Sequence, residues 1–307
     1  MIQINPVKLF VYVAVLFLLW ALYSGGYTQI PKVYKPTYLW LSFMVLFSAF
    51  IVEALPWWLL MKPVDQSISL RDSFVSIGIS IFGKYIPGKL WSIIGRSAFL
   101  SHRYEIPFSD VNTRSIKGQL LVIWSGLIIS GIGLALTRIS HNWAITVISI
   151  LLPISILLFT NGINKVWHIT GKLLGKRPSS LPYITISQVI TLMPFYFLQW
   201  FLWCLGFYLF VTALIIQPIP PISGLSFALA AVMGIISFIA PGGLGIREGV
   251  LVASLTAFGI DTPDAVSVSV ASRLWFLCGE CFFFGVAMLL SPRNWEKKNE
   301  KSCHPKP

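Results

Sequence analysis

Charge is scarce in this sequence, and acidic charge most of all. Only 11% of its 307 residues are charged, with 11 Asp and Glu against 23 Lys and Arg. A soluble domain carries about 25% charged residues, so there is too little charge here to coat a water-exposed globule. That excludes a soluble enzyme, a nucleic-acid module and a disordered chain. The net charge of +12 therefore does not point to nucleic acid. It belongs to loops between apolar runs, where cations face an anionic cytoplasmic leaflet. Cysteine is sparse too. The four present (Cys204, Cys278, Cys281 and Cys303) make no disulfide framework in a chain of this length. Cys278-Gly-Glu-Cys281 has CxxC spacing but falls inside an apolar run, where small packing residues are the expectation. The phosphate-binding pattern GxxxxGK[ST], glycosylation sequons and lipidation motifs are all missing, so coupling to ATP within the chain is not expected. His102, His141, His168 and His304 fall in loops or the tail, which makes a histidine relay or metal site weak.

What the chain has in excess is apolar length. It is 56% hydrophobic and 14% aromatic, with a mean hydropathy of +0.77. A helical span needs about 20 apolar residues. Continuous runs, rather than alternating ones, argue against a membrane β-barrel. Spans are expected at 9–23, 38–60, 117–137, 143–160, 195–216 and 265–290, with Pro194 dividing the last-but-one from a lead-in that starts near 183. The first run is also compatible with a signal peptide, given Ser24-Gly25-Gly26, although Trp20 and Tyr23 suit an interfacial belt. Residues 161–177 alternate apolar and basic positions as an interfacial helix does. Two further stretches, 73–100 and 222–258, are broken in the middle, at Gly83-Lys84-Tyr85-Ile86-Pro87-Gly88-Lys89 and at Pro241-Gly242-Gly243-Leu244-Gly245. Their arms are too short to cross, the second beginning with the longer one.

If each broken stretch enters and leaves by one side, the segments on one face hold fifteen Lys and Arg and those on the other hold three. The excess marks the cytoplasmic face. Both termini are then inside, with six full spans and two re-entrant hairpins. The chain runs span, hairpin, span twice with opposite orientation, the form of an inverted repeat. A predictor that counts hairpin arms as crossings would find eight spans. Residues 1–290 are read as one integral membrane domain and 291–307 as a basic cytoplasmic tail.

Broken backbone cannot face lipid, because each unpaired N–H or C=O in hydrocarbon costs several kcal/mol. The half-helix after each break begins with free N–H groups and a positive dipole end, which attract anions and phosphate. Glycine there lets a head group approach the backbone. The ionisable residues in the apolar regions are Glu53, Lys84, Lys89, Arg96, Arg247, Glu248, Arg273 and Glu280. A charge at mid-bilayer costs at least ~2.5–3.5 kcal/mol. The expectation is that Glu53, Glu248, Arg273 and Glu280 are charge partners. The head-group ligands are then Lys84, Pro87, Gly88, Lys89, Arg96, Pro241, Gly242, Gly243, Gly245 and Arg247, with arginine favoured for its bidentate geometry. The competing structural reading makes Arg247-Glu248 a plain ion pair, lets Lys84 and Lys89 snorkel, and has Arg273 pin its helix to a neighbour. No catalytic residue, metal or cofactor is expected.

These stretches carry a resemblance. Gly83-Lys84-Tyr85-Ile86-Pro87-Gly88-Lys89 with Gly95-Arg96, and Pro241-Gly242-Gly243-Leu244-Gly245-Ile246-Arg247-Glu248-Gly249, are similar to the two signature stretches of the lysylphosphatidylglycerol synthase transmembrane-region family, also called flippase-like. In layout the resemblance covers roughly residues 5 to 290. It implies a multi-pass protein of a bacterial or archaeal cytoplasmic (inner) membrane that binds and moves an anionic phospholipid or a polyprenyl-phosphate-linked glycan lipid. A glycosyltransferase or lipid synthase is the implied partner. With no aminoacyl-transferase domain after Leu290, lipid aminoacylation is not supported. The alternatives are a membrane glycosyltransferase or phosphotransferase, or an accessory subunit in cell-envelope lipid or polysaccharide synthesis. Against a multi-span glycosyltransferase, 25–37 holds no Asp or Glu. Asp261-Thr-Pro-Asp264 reads as a helix cap before a cation site.

Overall fold

A computed structural model describes residues 32–86, 90–137, 141–159, 185–237, 243 and 245–291. The expected first span (9–23), the interfacial stretch (161–177), the tail from 292 on, and Pro87, Gly88, Lys89, Pro241 and Gly242 lie outside the described residues. The described chain is helical: α1 Pro36–Met61, α2 Leu70–Ser80, α3 Trp91–Tyr104, α4 Phe108–Thr137, α5 His141–Phe159, α6 Ile186–Leu214, α7 Ser226–Ile236, α8 Ile246–Ala257 and α9 Thr262–Leu290. Short 3-10 turns, Ile81–Tyr85 and Pro221–Leu225, follow α2 and precede α7. Among the described residues four helices are long and apolar enough to cross a membrane: α1, α4, α6 and α9. The chain is thus an all-α polytopic membrane protein.

Local chemistry sets the boundaries. Pro36 sits in the first turn of α1, where its missing N–H removes no bond. The Ser69 hydroxyl caps α2 by accepting the Asp72 N–H at 3.0 Å. Thr185 and Gln188 form a reciprocal capping box at the start of α6. Glu105 ends α3 in the left-handed region at φ 57°. Two expectations need correction. α6 runs unbroken through Pro194 from Ile186 to Leu214, so the span is not 195–216. Proline removes one backbone bond but is tolerated in membrane helices, where neighbouring groups re-satisfy the backbone. Likewise α7 has 11 residues, the same as α2. Residues 221–225 wind as a 3-10 turn, so the α-helix of the second hairpin's first arm starts at Ser226 and not at 222. Asp261 takes the N-cap position of α9, but its side chain makes no capping bond.

The elements repeat. α1–α4 have 26, 11, 14 and 30 residues; α6–α9 have 29, 11, 12 and 29. The packing repeats as well. α1 packs along α6; α2 crosses over to α9 as α7 does to α4; and α3 lies on α4 as α8 lies on α9. A single hydrogen bond marks the equivalence. Ser115, the eighth residue of α4, donates its hydroxyl to the Ile93 carbonyl at 3.4 Å, and Ser269, the eighth of α9, does so to the Glu248 carbonyl at 3.2 Å. Ile93 and Glu248 are each the third residue of their half-helix. The equivalent helices α1 and α6 run antiparallel. The N–H groups of Tyr34 and Lys35 donate to the Ala213 carbonyl at 2.9 and 3.1 Å, whereas at the other end Leu60 and Tyr196 flank Gly118. The two repeats are therefore inverted.

Close approach is built from small residues, as in other membrane bundles. Gly78 sits against Ala287 where α2 meets α9, Gly126 against Trp200 and Val232, and Gly279 against Phe50. A layer of aromatic rings (Phe50, Trp203, Phe227, Trp275 and Phe276) fills the space between the two repeats.

Candidate functional site

Helix α9 is the post on which both hairpins converge. Arg273 is its twelfth residue and Glu280 its nineteenth. Seven residues of helix separate them by about 10 Å along the axis. Both lie in the middle third of a membrane-length helix. Each receives an ion-pair partner from a different break. Lys84, at the end of the first hairpin's first arm, pairs with the Glu280 carboxylate. The Tyr85 hydroxyl donates to the same group's other oxygen at 2.7 Å. Glu248, in the first turn of α8, pairs with Arg273, while its Oε2 accepts the Gly245 N–H at 2.8 Å. Glu280 is fully buried and Arg273 is 7% exposed. Burial makes such pairs strong only because each charge is met.

The backbone of the second break requires glycine twice. Gly243 and Gly245 have φ of 70° and 83°, a region that side chains disfavour. A Cβ on Gly243 would also lie 2.8 Å from the Gly234 Cα. This turn delivers Arg247 into the aromatic layer. Its guanidinium lies 5.0 Å from the Phe227 ring and 5.2 Å from the Phe276 ring, a cation–π geometry. It is 9% exposed, and its Nε and Nη2 have no hydrogen-bond partner among the described residues. These two N–H groups lie along one edge of the guanidinium and form the fork that grips two oxygens of a phosphate or carboxylate. Lys84 also lies over Phe276, at 5.1 Å, so one ring carries a cation from each hairpin.

Arg96 behaves differently. Its Nε donates to the Ser115 hydroxyl and its Nη2 to the Ser115 carbonyl at 2.8 Å, and its guanidinium stacks on Trp57 at 4.7 Å. Its fork is taken by α4. Glu53, on α1, makes no ion pair among the described residues but stands within electrostatic reach of Lys84, Arg96 and Glu280. The structure thus brings Glu53, Lys84, Arg96, Gly243, Gly245, Arg247, Glu248, Arg273 and Glu280 to one region.

Two features escape the sequence reading. Gln199, Trp203 and Trp275 are buried with polar atoms that have no partner among the described residues. An amide inside an apolar run was their only signal. Asp72 and Arg103 form an ion pair at 2.9 Å, and the Tyr104 hydroxyl donates to Asp72 at 2.6 Å. That network clamps the base of the first hairpin. Among the described residues no three His, Cys, Asp or Glu side chains gather as a metal set; Cys278 and Cys281 are exposed on α9 and Cys204 is buried.

A polytopic helical bundle with two broken hairpins, each sending a charged side chain to α9, defines a class of integral membrane protein. Residues 7–277 match the family described as lysylphosphatidylglycerol synthase TM region, and the chain belongs to it. No curated protein and no solved structure matches the chain.

Proposed function

We propose that this protein binds the phosphate of an anionic lipid at the Arg247 fork and carries the lipid across the bilayer as a flippase-like translocase. The observation that carries this reading is the nine-tenths buried fork, whose N–H groups find no acceptor among the described residues. A buried guanidinium without acceptors is costly, and a phosphate's non-bridging oxygens fit it in pairs. The neighbouring acids are engaged elsewhere, Glu248 by Arg273 and Glu280 by Lys84, so the Arg247 charge is left for a ligand. The broken hairpins supply the path: their tips meet α9 at two depths, one per inverted repeat, which suits passing a head group between opposite sides. On this reading residues 1–290 act as one domain of the cytoplasmic membrane with both termini inside. A glycosyltransferase or lipid synthase supplies or consumes the lipid.

The test is reconstitution. Liposomes containing the protein are loaded with labelled phosphatidylglycerol or labelled polyprenyl phosphate, and arrival in the opposite leaflet is followed. The wild type accelerates movement of at least one. Arg247→Gln abolishes the acceleration, and Arg247→Lys, which keeps charge but loses the fork, restores only part of it. Movement by Arg247→Gln at the wild-type rate would overturn the assignment.

A further inference from the structure

The helix that lends Trp203 to the aromatic layer also holds an amide for which the phosphate reading has no use. Gln199 lies midway along the 29 residues of α6 and is 1% exposed. Among the described residues neither its Oε1 nor its Nε2 has a hydrogen-bond partner. One helical turn on, the Trp203 Nε1 is buried without an acceptor, and residues four apart share a helix face. The Trp203 ring lies 5.6 Å from Phe276, the ring on which Arg247 rests. The amide thus shares a helix face with the indole N–H, and the indole and the Arg247 guanidinium meet the same Phe276 ring.

Buried polar groups in native structures are paired, and an exception calls for an explanation. An amide offers an acceptor oxygen and two N–H donors. Bare phosphate oxygens would meet the donors and leave Oε1 unmet. An ammonium would meet Oε1 alone and sit badly beside Arg247. A hydroxyl both donates and accepts, so one such group meets both ends of Gln199, and the Trp203 N–H serves a second hydroxyl oxygen. We infer that Gln199 and Trp203 form a subsite for the hydroxyls of the head group whose phosphate Arg247 holds, so that the lipid is a phosphodiester carrying a polyol. This rests on the phosphate reading of Arg247. Gln199 is then the residue that sets specificity.

Two pairs of lipids equal in charge test the inference by equilibrium binding to the purified protein in detergent. The first is phosphatidylglycerol and phosphatidylmethanol with the same acyl chains. The second is a polyprenyl phosphoglucose and the matching polyprenyl methyl phosphate. The wild type prefers the hydroxylated member of at least one pair by about tenfold, as one or two buried hydrogen bonds allow; the pair that shows it tells glycerol from sugar. Gln199→Met removes the preference by weakening only the hydroxylated lipid. Trp203→Phe, which deletes the N–H and little else, reduces it and stands as the second variant should Gln199→Met fold poorly. Equal binding within both pairs by the wild type overturns the inference, as does an undiminished preference in both variants. Wild-type protein that binds none of the four lipids overturns the Arg247 reading itself, and the hydroxyl subsite with it.

Discussion

Paired charges such as Lys84 and Glu280 hold this bundle together, whereas Arg247 has no ion pair among the described residues, and the two kinds should respond differently to substitution. Removing one partner of a buried pair leaves the other uncompensated, which typically costs about 3–5 kcal/mol. Lys84→Met would leave the fully buried Glu280 with only the Tyr85 hydroxyl. Because the Lys84 side chain is 35% exposed, solvent screens part of the loss, and about 2 kcal/mol is expected. Arg247 has no such partner to strand. Arg247→Met exchanges an unmet guanidinium for an apolar chain of similar length between Phe227 and Phe276. Such an exchange in a functional site raises stability while removing activity. Thermal unfolding in detergent without added lipid should therefore show a lower midpoint for Lys84→Met and an unchanged or higher one for Arg247→Met. A large drop for Arg247→Met would mean that the arginine is a structural tie.

Element packing rests on glycines that let helices approach. A Cβ built on Gly78 falls 2.3 Å from the Ala287 Cβ and 3.2 Å from the Phe283 carbonyl oxygen, so Gly78→Ala must push α2 away from α9. Overpacking of this kind costs about 1–3 kcal/mol, and it should also loosen Lys84 from Glu280 further along the same contact. Adding Ala287→Gly to Gly78→Ala should recover most of the loss, which a double-mutant cycle of melting midpoints would show as strong coupling. Elements of this kind were largely legible in the sequence. Apolar length and the Pro-Gly breaks place the long spans and both hairpins, because hydrocarbon thickness and backbone satisfaction are local rules. The errors have tertiary causes. Pro194 does not interrupt α6, since packed neighbours can hold a helix across a proline. Residues 221–225 take a 3-10 turn that composition does not distinguish from the start of α7.

At the scale of the whole molecule, the inverted repeat is written in loop charge rather than in matching letters. What survives in the letters is Ser115 and Ser269 at equal positions, each bonded to the third residue of its half-helix. The ionisable residues of the apolar runs can be read off the sequence, but their pairing cannot. Lys84 and Glu280 lie 196 positions apart, and periodicity says nothing about which helix a break will reach. Gln199 stayed invisible because its meaning comes from what its neighbours fail to supply. Orientation remains open to a direct test. α1 and α6 run antiparallel, so the loops after them leave on opposite faces, and from the Lys and Arg excess the loop after α1 is expected on the cytoplasmic face. Gln66 and Gln217 are exposed in those two loops. With the native cysteines replaced, a membrane-impermeant maleimide should label Gln217→Cys in intact cells and Gln66→Cys only after permeabilisation. The reverse pattern would keep the inverted repeat and turn the protein over in the membrane. Labelling of both from outside would break the repeat itself, because antiparallel equivalents cannot open on one face.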